Sequence, residues 1–125
     1  MEKSRAVVVI HAPAHLDSKH ARQFMREILT ILHSDRPQVV VDLSQVKSMD
    51  SAGVDVLVGC VRAAMRRDGE IKLAALPPQA AVVLELTRAD RLFEIYDNVP
   101  NAVMSFNGFL PNILRAQQQR HHAAA

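Results

Sequence analysis

One cysteine, four glycines and no block of like charge in 125 residues are shortages, and each removes a class of function. With Cys60 alone there is no intramolecular disulfide framework, and its place inside an apolar helical stretch predicts a buried, inert thiol compatible with a reducing compartment. The glycines stand at 53, 59, 69 and 108, too scattered for the glycine-rich phosphate cradles of nucleotide-binding loops. The first apolar run holds five residues, 6 to 10, before His11, too few for a signal-peptide core or a membrane span. Fifteen Lys and Arg against thirteen Asp and Glu give a net charge of +2, spread along the chain. Binding of nucleic acid by electrostatics alone is therefore unsupported. The expectation is a soluble cytoplasmic protein with no direct nucleic-acid partner and no membrane partner.

What the chain does contain alternates between two patterns. Ala6 to Ile10 and Val39 to Val41 are continuous β-branched runs, the mark of strands covered on both faces. Ile71, Leu73 and Ala75 alternate with more polar neighbours as a third strand, and Leu92 to Tyr96 reads as a short fourth. Between them lie helical spacings. The first is Ala21, Phe24, Met25, Ile28, Ile31 and Leu32, with Asp17 or Ser18 available as N-cap. A second helix reads from about Gly53 to Arg67, its stripe Val54, Leu57, Val58, Val61 and Met65 opposed by Asp55, Gly59, Arg62 and Arg66. A third runs from 79 to 88 behind Pro77-Pro78, and a last one starts at Pro100-Asn101. Strands alternating with helices predict an α/β class: one domain over 1–116, a mixed, largely parallel sheet of four to five strands, about four flanking helices and a frayed tail over 117–125.

In such sheets, sites gather where strands lead into helix N-termini. Asp50-Ser51-Ala52-Gly53 lies at such a place. Its structural reading is helix capping by Asp50 or Ser51. A nucleophilic Ser51 is disfavoured, because Met49 and Gly53 occupy the flanks where Gly-x-Ser-x-Gly needs two glycines. His11, His15, His20 and His33 match no standard ligand spacing and read as surface residues. No metal and no cofactor is expected.

Taken in order, Val39-Val40-Val41-Asp42-Leu43-Ser44, Met49-Asp50-Ser51-Ala52-Gly53, Gly69-Glu70-Ile71-Lys72-Leu73 and Leu84 through Phe93 resemble the STAS family of bacterial anti-sigma factor antagonists. The resemblance spans roughly residues 6 to 106. It implies a regulatory binding protein without catalysis of its own. The unphosphorylated form would bind an anti-sigma factor that is also a serine kinase, phosphorylation would weaken the complex, and a PP2C-type phosphatase would reset it. Carried over by position, Ser51 is the acceptor, and Asp17, Ser18, Asp50, Ala52, Gly53 and Asp55 face the partner. The same resemblance admits a STAS scaffold or transport-system subunit acting by protein–protein contact. Three departures stand out. Ala52 leaves Ser51 as the sole hydroxyl of the turn, Asp55 replaces a frequent glycine, and Arg88-Ala89 replaces a frequent Gly-Leu.

Overall fold

The computed structural model describes residues 6–107. The tail expected over 117–125 and the domain boundary at 116 lie outside them. Four parallel strands form the main sheet: β1 (Val8–His11), β3 (Gln38–Asp42), β5 (Glu70–Ala74) and β6 (Ile95–Tyr96), in that spatial order. A second ladder of two residues each joins β2 (His15–Leu16) to β4 (Ser48–Met49), also in parallel. Among the described residues there are four helices, α1 (Ala21–Leu32), α2 (Ser51–Met65), α3 (Pro78–Leu86) and α4 (Val99–Ser105), and one 3₁₀ turn over Ala89–Leu92.

The run Val39-Val40-Val41 has no polar alternation because both of its faces are covered. Val39 and Val41 enter the larger core with Phe24, Ile28, Leu57, Cys60 and Leu84 from α1, α2 and α3. Val40 points the other way, into a smaller core with Ala74, Tyr96 and Ala102 beneath α4. Each valine is fully buried, which stabilises by about 1.5–3 kcal/mol per side chain before chain entropy is counted. Burial on both faces also explains Lys72, a polar position of the expected alternation that is in fact 4% exposed. Its ammonium donates to Ser105 Oγ at 2.6 Å, pairs with Glu94 at 3.2 Å and lies 4.2 Å from the centre of the Phe106 ring. Buried charge is tolerated only when so provided with partners.

Several boundaries differ from the sequence reading. The first helix begins at Ala21, not near Asp17, because residues 17–20 form a separate turn in which the Asp17 carboxylate accepts from the amides of Lys19 and His20, both at 3.1 Å. The second begins two residues earlier than Gly53 and ends at Met65, which is 66% exposed and lies off the buried stripe of Val54, Leu57, Cys60 and Ala64. Gly59, expected on the outer face, lies against α1, where a Cβ would stand 3.1 Å from Met25 Cε. Of the fourth strand only Ile95–Tyr96 pairs, because Leu92 closes the 3₁₀ turn and is 55% exposed.

Arg88 sits at φ 62°, ψ 14°, between α3 and the 3₁₀ turn. A side chain in this left-handed region costs about 1–2 kcal/mol, and a glycine would escape it at an entropic cost of about 0.5–1 kcal/mol. Arg88→Gly should therefore raise unfolding stability by roughly 0.5–1 kcal/mol. Urea denaturation checks this, and a lower midpoint for the variant would show that the guanidinium contributes more than the strain removes.

Candidate functional site

Parallel register builds the site. Leu16 is paired with Met49 and His15 with Ser48, so the next residues on the two strands, Asp17 and Asp50, leave the ladder side by side. The ladder is reinforced by Lys47 N donating to Ala14 O at 2.6 Å and by a 2.8 Å hydrogen bond between His15 Nδ1 and Ser48 Oγ. Beyond it the Asp50 amide donates to Leu16 O at 3.4 Å. Gly53 completes the junction. A Cβ there would lie 2.2 Å from the Leu16 carbonyl oxygen, so only glycine lets α2 start this close to β2. It is buried, and its part in the site is packing.

Asp50 and Ser51 divide the two roles that the sequence leaves open. Asp50 is the N-cap, its Oδ1 accepting from Ala52 N at 2.9 Å and Gly53 N at 3.3 Å, while its carbonyl takes the amides of Gly53 and Val54. The amides of Ala52, Gly53 and Val54 in the first helical turn are thereby occupied. Ser51 is the first helical residue, it is exposed, and among the described residues no hydrogen bond engages its hydroxyl. Asp55 is exposed one turn on, Ala52 is half-buried, and Ser18 is exposed beside Asp17 on the neighbouring turn. Asp17, Ser18, Asp50, Ser51 and Asp55 thus share one rim, with Ala52 at its inner edge.

His20 was missed as a member of this rim. Its Nδ1 lies 2.7 Å from Asp17 Oδ1, and its ring centre lies 6.0 Å from that of His15. The hydrogen bond from the His20 side chain, helped by the backbone amides of His20 and Lys19, holds the Asp17 carboxyl below its ordinary value. The i, i+3 spacing of Asp17 and His20 was the available signal. Two-residue strands are too short for periodicity to reveal, so the ladder that gives the spacing its meaning stayed hidden. His11 also has a carboxylate partner, Asp42 Oδ2 at 2.8 Å, at the carboxyl ends of β1 and β3. Among the described residues no three metal-ligating side chains converge.

Cys60 is buried in α2, 3.6 Å from the Met25 sulfur, and burial pushes its thiol up to about 12. A thiol held protonated is a poor nucleophile. The chemistry left at the rim is that of an accessible hydroxyl flanked by carboxylates.

The family model described as "Mlab, STAS domain" matches residues 1–95. The chain belongs to the STAS domain family. The anti-sigma F factor antagonist of Paenibacillus polymyxa is 27% identical over 106 residues, which cover 82% of this chain and 89% of that protein. A Thermotoga maritima crystal structure described as an anti-sigma factor antagonist superposes with a TM-score of 0.74 at 26% identity, over 81% of this chain and 87% of that one. The STAS domain of a SulP transporter from Vibrio cholerae shares the fold alone, with a TM-score of 0.63 at 17% identity over 83% of each chain. In this STAS domain the strand-to-helix turn is the one described above, with its serine outside the cap.

Two outcomes follow from the division of roles. Asp50→Ala should cost about 1 kcal/mol of unfolding free energy, while Ser51→Ala should change it by less than about 0.5 kcal/mol; equal losses would mean that the serine caps the helix too. The Asp17 carboxyl, held low in the folded state, contributes stability above its unfolded value that is lost as pH falls through the folded one. His20→Ala should raise the Asp17 pKa in a carboxyl NMR titration, and no change would show that the backbone amides alone hold it down.

Proposed function

We propose that this STAS domain is an anti-sigma factor antagonist that acts in the cytoplasm, binds an anti-sigma factor with serine kinase activity through the rim of Asp17, Ser18, Asp50 and Asp55, and is switched off by phosphorylation of Ser51. A PP2C-type phosphatase restores the binding form. The protein itself catalyses nothing in this cycle. The observation that carries the reading is the exposed Ser51 hydroxyl, released from capping by Asp50 and placed among carboxylates at the strand-to-helix turn. The names of the relatives support the partner class.

The electrostatics fit a switch that acts on a complex. A helix N-terminus ordinarily welcomes an anion. Here the Asp50 carboxylate already holds the amides of Ala52 and Gly53, so a phosphate on Ser51 would have to displace it to take those donors. Its charge of about −1.5 to −2 stays at the surface beside Asp50 and Asp55. A partner that docks against those carboxylates then meets a locally concentrated negative charge, and like charges forced together cost several kcal/mol. The domain, whose core lies beneath the turn, is left alone.

The test uses the cognate kinase, recovered by its affinity for the unmodified protein. With that kinase and ATP, wild type should gain one phosphate and Ser51→Ala none, while Ser51→Ala still binds. Ser51→Asp should stay folded and bind at least about tenfold more weakly, or about 1.4 kcal/mol. Phosphate mapped to another residue, or full-strength binding by Ser51→Asp, would sink the switch and leave a STAS scaffold without this control.

A further inference from the structure

The outer face of α2 carries more than the acceptor. At 3.6 residues per turn, Ser51, Asp55, Val58, Arg62 and Arg66 fall on one stripe, with Met65 at its margin. Ser51, Asp55, Arg62, Met65 and Arg66 are all exposed, Met65 by 66%. The stripe is polar in the electrical sense: hydroxyl and acid at the start, two arginines at the end. Among the described residues no ion pair engages Asp55, Arg62 or Arg66.

A helix face of this kind complements itself when reversed. Laid antiparallel on a second copy about a two-fold axis passing between Val58 and Gly59, residue i meets residue 117 − i. Asp55 then faces Arg62 and Ser51 faces Arg66, each pair occurring twice, with the half-buried Val58 at the crossing. Asp55 and Arg62 are seven residues apart, about 10 Å along the axis, which sets the two ion pairs on either side of an apolar centre. Isologous pairing of one patch with itself is the commonest way in which identical chains associate.

We propose that the outer face of α2 pairs antiparallel with the same face of a second copy of this chain, and that phosphate on Ser51 tightens the pair by meeting the second copy's Arg66. Arginine binds phosphate through a two-pronged set of donors, and the second copy's Arg66 offers the phosphate a counter-charge while Asp50 keeps the Ala52 and Gly53 amides of its own helix. The paired form covers Ser51 and the rim beside it. Phosphorylation therefore removes the protein from its anti-sigma factor twice, by repulsion and by self-association.

The phosphate half of this inference rests on the reading of Ser51 as the acceptor; the test does not need the kinase. Phosphoserine is installed at position 51 by genetic incorporation, and purified full-length chains are compared by sedimentation equilibrium. The phosphorylated chain should dimerise at least about tenfold more tightly than the unmodified one, and raising salt from about 0.05 to 0.5 M should weaken it. Arg66→Glu should abolish the gain from phosphate. Asp55→Arg and Arg62→Asp should each weaken the dimer, and the two together should restore it, since the pair is then merely reversed. A phosphorylated chain that remains monomeric, a dimer indifferent to phosphate, or a double variant no better than the single ones would overturn the inference. Failure here leaves the kinase reading standing, whereas kinase mapping of phosphate to another residue would remove that reading without changing the sedimentation result.

Discussion

The two-residue parallel ladder between β2 and β4 is the constraint on which the site depends. By pairing Leu16 with Met49, it makes two segments more than thirty positions apart in sequence end at the same level. Their next residues, Asp17 and Asp50, then open onto the same surface. The close approach is enforced from below, where Gly53 lies under the Leu16 carbonyl with no room for a Cβ. Leu16 and Met49 are themselves core residues, at 0% and 9% exposure. The rim is thus held by apolar burial, by backbone hydrogen bonds and by the carboxylates of Asp17 and Asp50, each of which accepts from amides of its own turn, while the Ser51 hydroxyl stays exposed.

That arrangement separates the helix cap from the exposed hydroxyl. Asp50 satisfies the start of α2, so the serine beside it is spared that duty. Many helix starts combine the two roles in one hydroxyl, and a modification there alters the fold and the surface together. Here the acid carries the structural load and Ser51 keeps a hydroxyl with no hydrogen bond among the described residues. The stability of the domain lies elsewhere, in the valines of β3 and in the helices packed on both sides of them.

Much of this was legible in the sequence for identifiable reasons. The continuous run Val39 to Val41 announced a strand buried on both faces, whereas the run over 6–10, expected to be covered in the same way, gives the edge strand β1 with none of its residues buried. The 3.6-residue spacing of Phe24, Ile28 and Leu32 located α1, because burial on one side of a helix imposes that period. The small residues of 50–53 pointed to a special turn, and the order of the four motifs pointed to the family. What escaped was whatever depends on contacts distant in sequence. No local pattern shows that Ser48–Met49 will pair with His15–Leu16 or that Lys72 will be buried between a sheet and α4. Met65 misled for the opposite reason: its hydrophobicity suggested the core, yet helical geometry places it on the surface next to Arg66.

The central claim, that Asp50 keeps the helix cap while Ser51 bears the switch, is tested most directly at two amides. Proton exchange at Ala52 N and Gly53 N is measured by NMR in the unmodified chain and in the chain carrying phosphoserine at 51. Retention of the cap by Asp50 predicts exchange rates that agree within about twofold, equivalent to less than about 0.5 kcal/mol. A large gain in protection at either amide, accompanied by loss of the Asp50 hydrogen bonds, would mean that the phosphate has taken over the helix N-terminus, and the separation of fold from switch would be contradicted.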